Sequence, residues 1–322
     1  ILIYIALDLK KYQYQTFKWE DIMKKKLFLL ALVIFSVFAF SACGGSDNAK
    51  ENANTNQQQT ADNKKDDKTA SDNKSSENAP SGASIDKIKE KGKLVIGTTA
   101  DYPPYEFKIM QNGKLEIVGF DIEIAKLIAK KLGVELEIKD MDFKLLIEAV
   151  KKGEIDIALA GINPTEERKK EIGMTNVYYK ANQTVLIRKE DEKLYTSLDA
   201  LKGKTLGAQM GATQVELAKT VENAQIKELP LITALIADLK TKKIDAIVLE
   251  EAVAKQYAST NDDLAVPKFL FESNDKGSAA GVKLENTDLL EFLNTTLGEM
   301  EKDGTIEKLV TEAIDLSNSA KQ

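Results

Sequence analysis

Residue types that do covalent chemistry are scarce in this chain. Its 322 residues include no histidine and a single cysteine, Cys43. Without histidine there is no Ser/His/Asp or Cys/His nucleophile, no usual general base and no imidazole metal ligand, so hydrolase and structural-zinc readings fall away. Recognition chemistry remains. In DIALAGINPTEERKKEI, Asp156 to Ile172, a short apolar run precedes Thr165-Glu166-Glu167-Arg168. With Thr165 as N-cap, Glu166 and Glu167 suit the positive end of the helix dipole, whereas Arg168 at the third helical position does not. Either the guanidinium points at solvent, or an anion is held between it and the helix start.

The elements that must position this arginine read as apolar strands alternating with amphipathic helices from Ile85 onward. Leu94 to Gly97 is a strand; Gly119-Phe-Asp121 leads into a helix with Ile124, Leu127, Ile128 and Leu132 at helical spacing, closed by Gly133. Leu136 to Ile138 is a second strand, Phe143 to Lys152 a helix stopped by Gly153, and Ile155 to Ala160 a third strand. The order β-α-β-α-β predicts parallel pairing with right-handed crossovers. A weak internal repeat follows: Leu146–Gly161 aligns without gaps to Leu235–Glu250, sharing Leu, Ile, Lys, Ile and Asp. The second half also has an opening strand, Thr205 to Gln209, and a Gly211-Ala-Thr213 turn into a helix, so it reads as a second open α/β lobe. Ligands of such sheets sit beyond the carboxyl ends of the strands. That rule selects Thr98–Tyr105, Gly161–Arg168, Gln209–Thr213 and Glu250.

Upstream the texture differs. Met23-Lys-Lys-Lys followed by the apolar run Leu27 to Ala42 has the basic and apolar regions of an export signal, placing the signal peptide at 23–42 and leaving 1–22 as non-native upstream translation. The run ends in Phe40-Ser41-Ala42-Cys43-Gly44, which resembles the lipobox of bacterial lipoproteins, with Phe40 where leucine is usual. Cys43 is thus expected to carry lipid, with residues 43–84 as a tether. From Gly44 to Ser84 there is no aromatic or branched aliphatic residue to form a core. A flexible coil of ~40 residues spans roughly 35 Å. The expected location is the outer face of the bacterial cytoplasmic membrane. A formal net charge of −6 argues against a nucleic-acid partner.

The stretch GFDIEIAKLIAKKL, Gly119 to Leu132, resembles the signature of the bacterial extracellular solute-binding proteins of family 3, the amino-acid receptors of ABC importers. The resemblance extends through TTADYPPYEF, GINPTEER, GKTLGAQMGATQ, KKIDAIVLEEAVA and LNTTLGEMEKDGTIEKL. It implies an α/β, two-lobe periplasmic-binding-protein-like (type II) fold, with two open lobes joined by two crossing hinge strands near Tyr178-Tyr179 and Phe269–Asn274. Lobe 1 is then 85–182 plus 276–322, and lobe 2 is 183–275. The implied function is capture of a free L-amino acid for a membrane permease, by a monomer, with no catalysis, cofactor or metal. Arg168 aligns with the arginine that grips the ligand α-carboxylate. Gly161 and Asn163 (usually Ser or Thr) match the loop that assists it, and Thr213 matches the lobe 2 contact. Glu250 stands where the family has an aspartate for the α-ammonium. Tyr102 and Phe143 match the rings flanking the ligand side chain, and Glu106, or Thr99 and Asp101, would cap its far end. Two rings and nearby carboxylates favour arginine or lysine, then glutamine. Two rivals stay open: a cyclohexadienyl or arogenate dehydratase on the same fold, with Glu106 or Glu250 as its acid, and a sensory ligand-binding module.

Overall fold

The computed structural model describes residues 82–273 and 277–320. The expected signal, Cys43 and the tether up to residue 81 lie outside the described residues. Helix α1 (Ala83–Lys91) leads into β1 (Lys93–Thr98). A short meander follows: β2 (Asp101–Tyr102), β3 (Glu106–Gln111) and β4 (Lys114–Val118) pair antiparallel as a separate three-stranded sheet. Helix α2 (Phe120–Leu132) is sealed by Gly133 in the left-handed conformation, where glycine is unhindered. Next come β5 (Glu135–Asp140), α3 (Leu146–Lys152), β6 (Ile157–Ala158), α4 (Glu166–Glu171) and β7 (Gly173–Met174).

The second half contributes β8 (Gln183–Arg188), β9 (Thr205–Gln209), α5 (Gln214–Lys219), β10 (Gln225–Leu229), α6 (Ile232–Lys240), β11 (Ala246–Glu250), α7 (Glu251–Thr260) and β12 (Leu264–Ala265). Then β13 (Gly281–Val282), α8 (Thr287–Lys302) and α9 (Thr305–Ser319) complete the chain. Two five-stranded sheets result, ordered β5-β1-β6-β13-β7 and β10-β9-β11-β8-β12. In each, the β-α-β units are parallel, and the strand returning from the other half enters antiparallel: β13 between β6 and β7, and β8 beside β11. The sequence therefore predicts the parallel units correctly and misses the antiparallel returns, which join residues from about 60 to more than 100 positions apart.

Two local expectations are corrected. The strand read at Ile155–Ala160 pairs only over Ile157–Ala158, and the helix read from Phe143 begins as one 3₁₀ turn, Phe143–Leu145, before α3. The turn at Phe143 and residues 159–160 beyond β6 lie at the end of the sheet where the chain turns toward the site.

The weak internal repeat has a packing basis. Asp156 Oδ2 accepts from Val95 N at 2.8 Å, and Asp245 Oδ2, its aligned partner, accepts from Thr205 N at 2.9 Å. Each aspartate ties the strand it precedes to the start of the neighbouring first strand. A Cβ on Gly97 would strike Ile155 Cδ1 and Leu146 Cδ2, and a Cβ on Gly207 would strike Ile244 Cδ1 and Leu235 Cδ2. The matched Leu and Ile of each repeat thus fill the space a first-strand glycine leaves, at the close packing of a protein interior.

Two segments connect the halves. Tyr179 and Ser278 form an antiparallel bridge, as do Gln183 and Phe271, with Ser278 N donating to Tyr179 O and Phe271 N to Gln183 O at 2.8 Å each. Gly277 sits at φ 115°, and a Cβ there would collide with the Tyr179 carbonyl, so the two segments approach this closely only because it is glycine.

Candidate functional site

The loops at the carboxyl ends of β1, β6, β9 and β11 meet face to face. The arginine at the start of α4 is explained by what it reaches. Thr165 caps the helix, its Oγ1 accepting from Arg168 N at 3.2 Å, and this holds the guanidinium over the cleft. Arg168 Nη1 donates to Asn163 O at 2.8 Å, and Nη2 crosses the cleft to Gly211 O at 2.9 Å. The guanidinium also lies 5.4 Å from the centre of the Phe143 ring, within cation–π range. It points neither at bulk solvent nor idly along the helix.

Asn163 is a junction. Its Oδ1 accepts from Thr213 Oγ1 at 2.9 Å, and its Nδ2 donates to Gly277 O at 3.2 Å and to Glu250 Oε1 at 3.4 Å. Glu250 is fully buried at the end of β11, and its Oε2 accepts from Tyr105 OH at 2.5 Å. Tyr105 OH in turn accepts from Ser278 Oγ at 3.1 Å. Arg168, Asn163, Thr213 and Glu250 therefore form one polar network running from α4 across the cleft to the crossing segments.

Beside it, Tyr102, Phe143, Gly161, Asn163 and Glu106 line a slot closed on the far side by Gln209, Ala212 and Gln214, with about 10 Å³ of room, roughly one water centre. Glu106, on β3, is fully buried and neither carboxylate oxygen has a hydrogen-bond partner. Burial, reinforced by Asp121, Asp101, Glu250 and Asp140, pushes its carboxyl well above the usual range. Thr99 also lines the slot, but its Oγ1 donates to Met141 O at 2.8 Å. Asp101 takes a different part: its Oδ2 accepts from Ile232 N at 2.7 Å and Thr233 N at 3.4 Å, capping the start of α6 across the cleft, and burial raises its carboxyl to about 6. A larger groove of about 550 Å³ opens between the β3–β4 hairpin and α6, away from Arg168 and Asn163.

Several site residues escape a sequence reading. Asp121 lies in the first turn of α2, yet it is wholly buried and accepts from Tyr178 OH at 2.8 Å and from Gly161 N at 3.3 Å. Burial lifts its carboxyl to about 7, against the lowering effect of those two bonds. Tyr105 packs at a tilt against Phe120, 4.4 Å between ring centres, and only the tertiary fold brings its hydroxyl to Glu250. Gln209 falls within the strand-end segment that the sequence selects, whereas Gln214 lies one residue beyond it. Among the described residues, no group of three or more metal-ligating side chains forms and no helix is long and apolar enough to cross a membrane.

Comparison with known proteins agrees with this geometry. Residues 94–314 match the profile of the bacterial extracellular solute-binding proteins, family 3. The chain is 35% identical to the arginine-binding extracellular protein ArtP of Bacillus subtilis, over 89% of this chain and 96% of that protein. A probable histidine-binding protein of Campylobacter jejuni is 34% identical, over 67% of this chain and 83% of its own length. In fold, the chain is similar to the amino acid ABC transporter substrate-binding protein AbpA of Streptococcus pneumoniae bound to L-arginine, with TM-score 0.71 and 37% identity over 73% of this chain and 99% of that one. These relatives are substrate-binding transport proteins, not enzymes. With its two α/β lobes and its polar network at the strand ends, the chain belongs to the bacterial extracellular solute-binding proteins of family 3, as an amino-acid-binding protein of the ABC transporter class.

Proposed function

We propose that the chain is a receptor for a cationic L-amino acid, arginine first and lysine next, which it delivers to the membrane permease of an ABC importer. The observation that carries the side-chain preference is Glu106: a fully buried, unpartnered carboxyl in the wall of the slot, facing a space with no protein cation bonded to it. A buried polar group without a partner is costly, and an incoming guanidinium or ammonium removes that cost. In this reading Arg168 turns from Gly211 O to the ligand α-carboxylate, and Thr213 Oγ1 exchanges its bond to Asn163 Oδ1 for one to the same group. Glu250 and Tyr102 complete the ammonium and side-chain contacts, while Phe143 supports Arg168 from behind. Arginine-bound and arginine-binding relatives support the choice of ligand.

The slot holds about one water, so the lobes must part for an amino acid to enter and re-form over it. The division of 85–182 plus 276–322 from 183–275 places the moving boundary at the two crossing segments. The chain works as a monomer, with Cys43 as its lipid-bearing N-terminus and 43–84 as the tether holding it near the permease.

Thermal denaturation and calorimetric titration against the twenty amino acids test this reading. Arginine at ~100 times its dissociation constant stabilises by ~2.7 kcal/mol through mass action. Arg168→Ala removes that gain while the ligand-free protein still folds. Tighter binding of glutamine, histidine or cystine than of arginine and lysine would refute the cationic assignment and leave the receptor assignment standing.

A further inference from the structure

The surroundings of Glu106 carry a consequence for how such a ligand binds, and it rests on the cationic reading above. Both oxygens of Glu106 are buried without partners. The charges that face it from the packed elements are Asp101 on β2, Asp121 on α2, Asp140 on β5 and Glu250 on β11, all carboxylates. The other titratable groups near it are the phenols of Tyr102, Tyr178 and Tyr257. The cations of the neighbouring elements are engaged elsewhere: Lys108 pairs with Asp140 at 2.5 Å, and Arg168 donates to Asn163 O and Gly211 O. Asp101, Asp121 and Asp140 all belong to the same half as Glu106, so this crowding persists when the lobes part. An isolated carboxylate in such a place neutralises itself by holding a proton.

We propose that capture of a cationic ligand is proton-coupled: Glu106 holds a proton before the ligand enters and releases it as the cationic side chain arrives, so that roughly one proton leaves the protein per ligand bound. The Glu106 O–H bond breaks heterolytically, its electron pair stays on the carboxylate, and the proton passes to a buffer base. The new ion pair then replaces a neutral acid. For a neutral ligand the same residue acts differently. Protonated Glu106 donates to the carbonyl of a side-chain amide, and no proton is released. Glu106 therefore ties side-chain specificity to pH. Over the range in which free Glu106 is protonated, arginine affinity rises about tenfold per pH unit and glutamine affinity does not.

Calorimetric titration of the full chain at pH 7, in phosphate and in Tris, reads the coupling directly, because the two buffers differ in ionisation enthalpy. The expected result is an arginine enthalpy whose buffer dependence corresponds to about one released proton, with none for glutamine. The dependence should vanish in Glu106→Gln, whose amide has no proton to release in this range. An arginine enthalpy identical in both buffers, with arginine affinity flat in pH, overturns the proposal on the unmodified protein alone. So does a dependence that survives in Glu106→Gln. Absence of binding heat with every amino acid would instead overturn the receptor reading, and this inference with it.

Discussion

Shortening Glu250 to aspartate, the residue that the family resemblance implies here, should destabilise this particular chain. The carboxylate ends β11 and spans the cleft, with Oε2 2.5 Å from Tyr105 OH and Oε1 3.4 Å from Asn163 Nδ2. Removing one methylene withdraws it by about 1.5 Å, a carbon–carbon bond length. The Tyr105 contact then opens to about 4 Å, beyond any hydrogen bond. Tyr105 OH still accepts from Ser278 Oγ, but its own proton loses its acceptor in a site with no exposure. Leaving a buried donor unsatisfied costs about 1–3 kcal/mol. For a folded region of this size, about 2 kcal/mol lowers Tm by about 4–8 °C. Scanning calorimetry of ligand-free wild type, Glu250→Asp, Tyr105→Phe and the double variant measures this. The two single losses should overlap in the double variant by at least about 1 kcal/mol. Additivity within about 0.5 kcal/mol, or an unchanged Tm in Glu250→Asp, would show that Glu250 does not hold Tyr105 and that the cross-cleft network is misread.

Two further outcomes are expected. Asp121 has its carboxyl raised to about 7, so the folded chain keeps a proton that the unfolded chain has released. Its stabilisation is complete below about pH 4 and declines as pH rises toward 7, by at most ~1.4 kcal/mol per unit; Asp121→Asn should flatten the denaturant-measured stability profile in that window, and an equally steep profile in the variant would refute the assignment. Cys43→Ala should move the protein from the membrane fraction to the soluble fraction, because a single acyl chain anchors only marginally and none should anchor not at all; a variant that still sediments with membranes refutes lipidation at Cys43.

Much of the fold was legible because its signals are local. The apolar spacing of Ile124, Ile128 and Leu132 and the stop at Gly133 define α2, and Thr165 announces the start of α4. The misplacement of Arg168 within α4 was legible as well, since a cation at the positive end of a helix calls for an explanation. Its answer was not, because Gly211 O and the Phe143 ring come from distant loops. The small β2-β3-β4 sheet went unread for a different reason. Its strands carry mixed burial, and the alternation of Glu106, Phe107, Lys108 and Ile109 places a glutamate on a buried face, the reverse of the usual pattern. The acidic residues were hard to place for the same reason: Asp101, a candidate for the far end of the ligand, caps α6, and Asp121, which opens α2, is buried.

The order of strands and helices, the repeated Leu–Ile–Asp units and the recognition of an arginine out of place are properties of the sequence by itself. They depend on periodicity, capping and turn chemistry within a few residues. The insertion of β13 between β6 and β7, the pairing of Glu250 with Tyr105 and the isolation of Glu106 among four carboxylates belong to the tertiary structure alone. A carboxylate's charge, partner and proton depend on what surrounds it within a few ångströms. In this chain those surroundings are assembled from segments up to about 150 residues apart, so no window of sequence contains them.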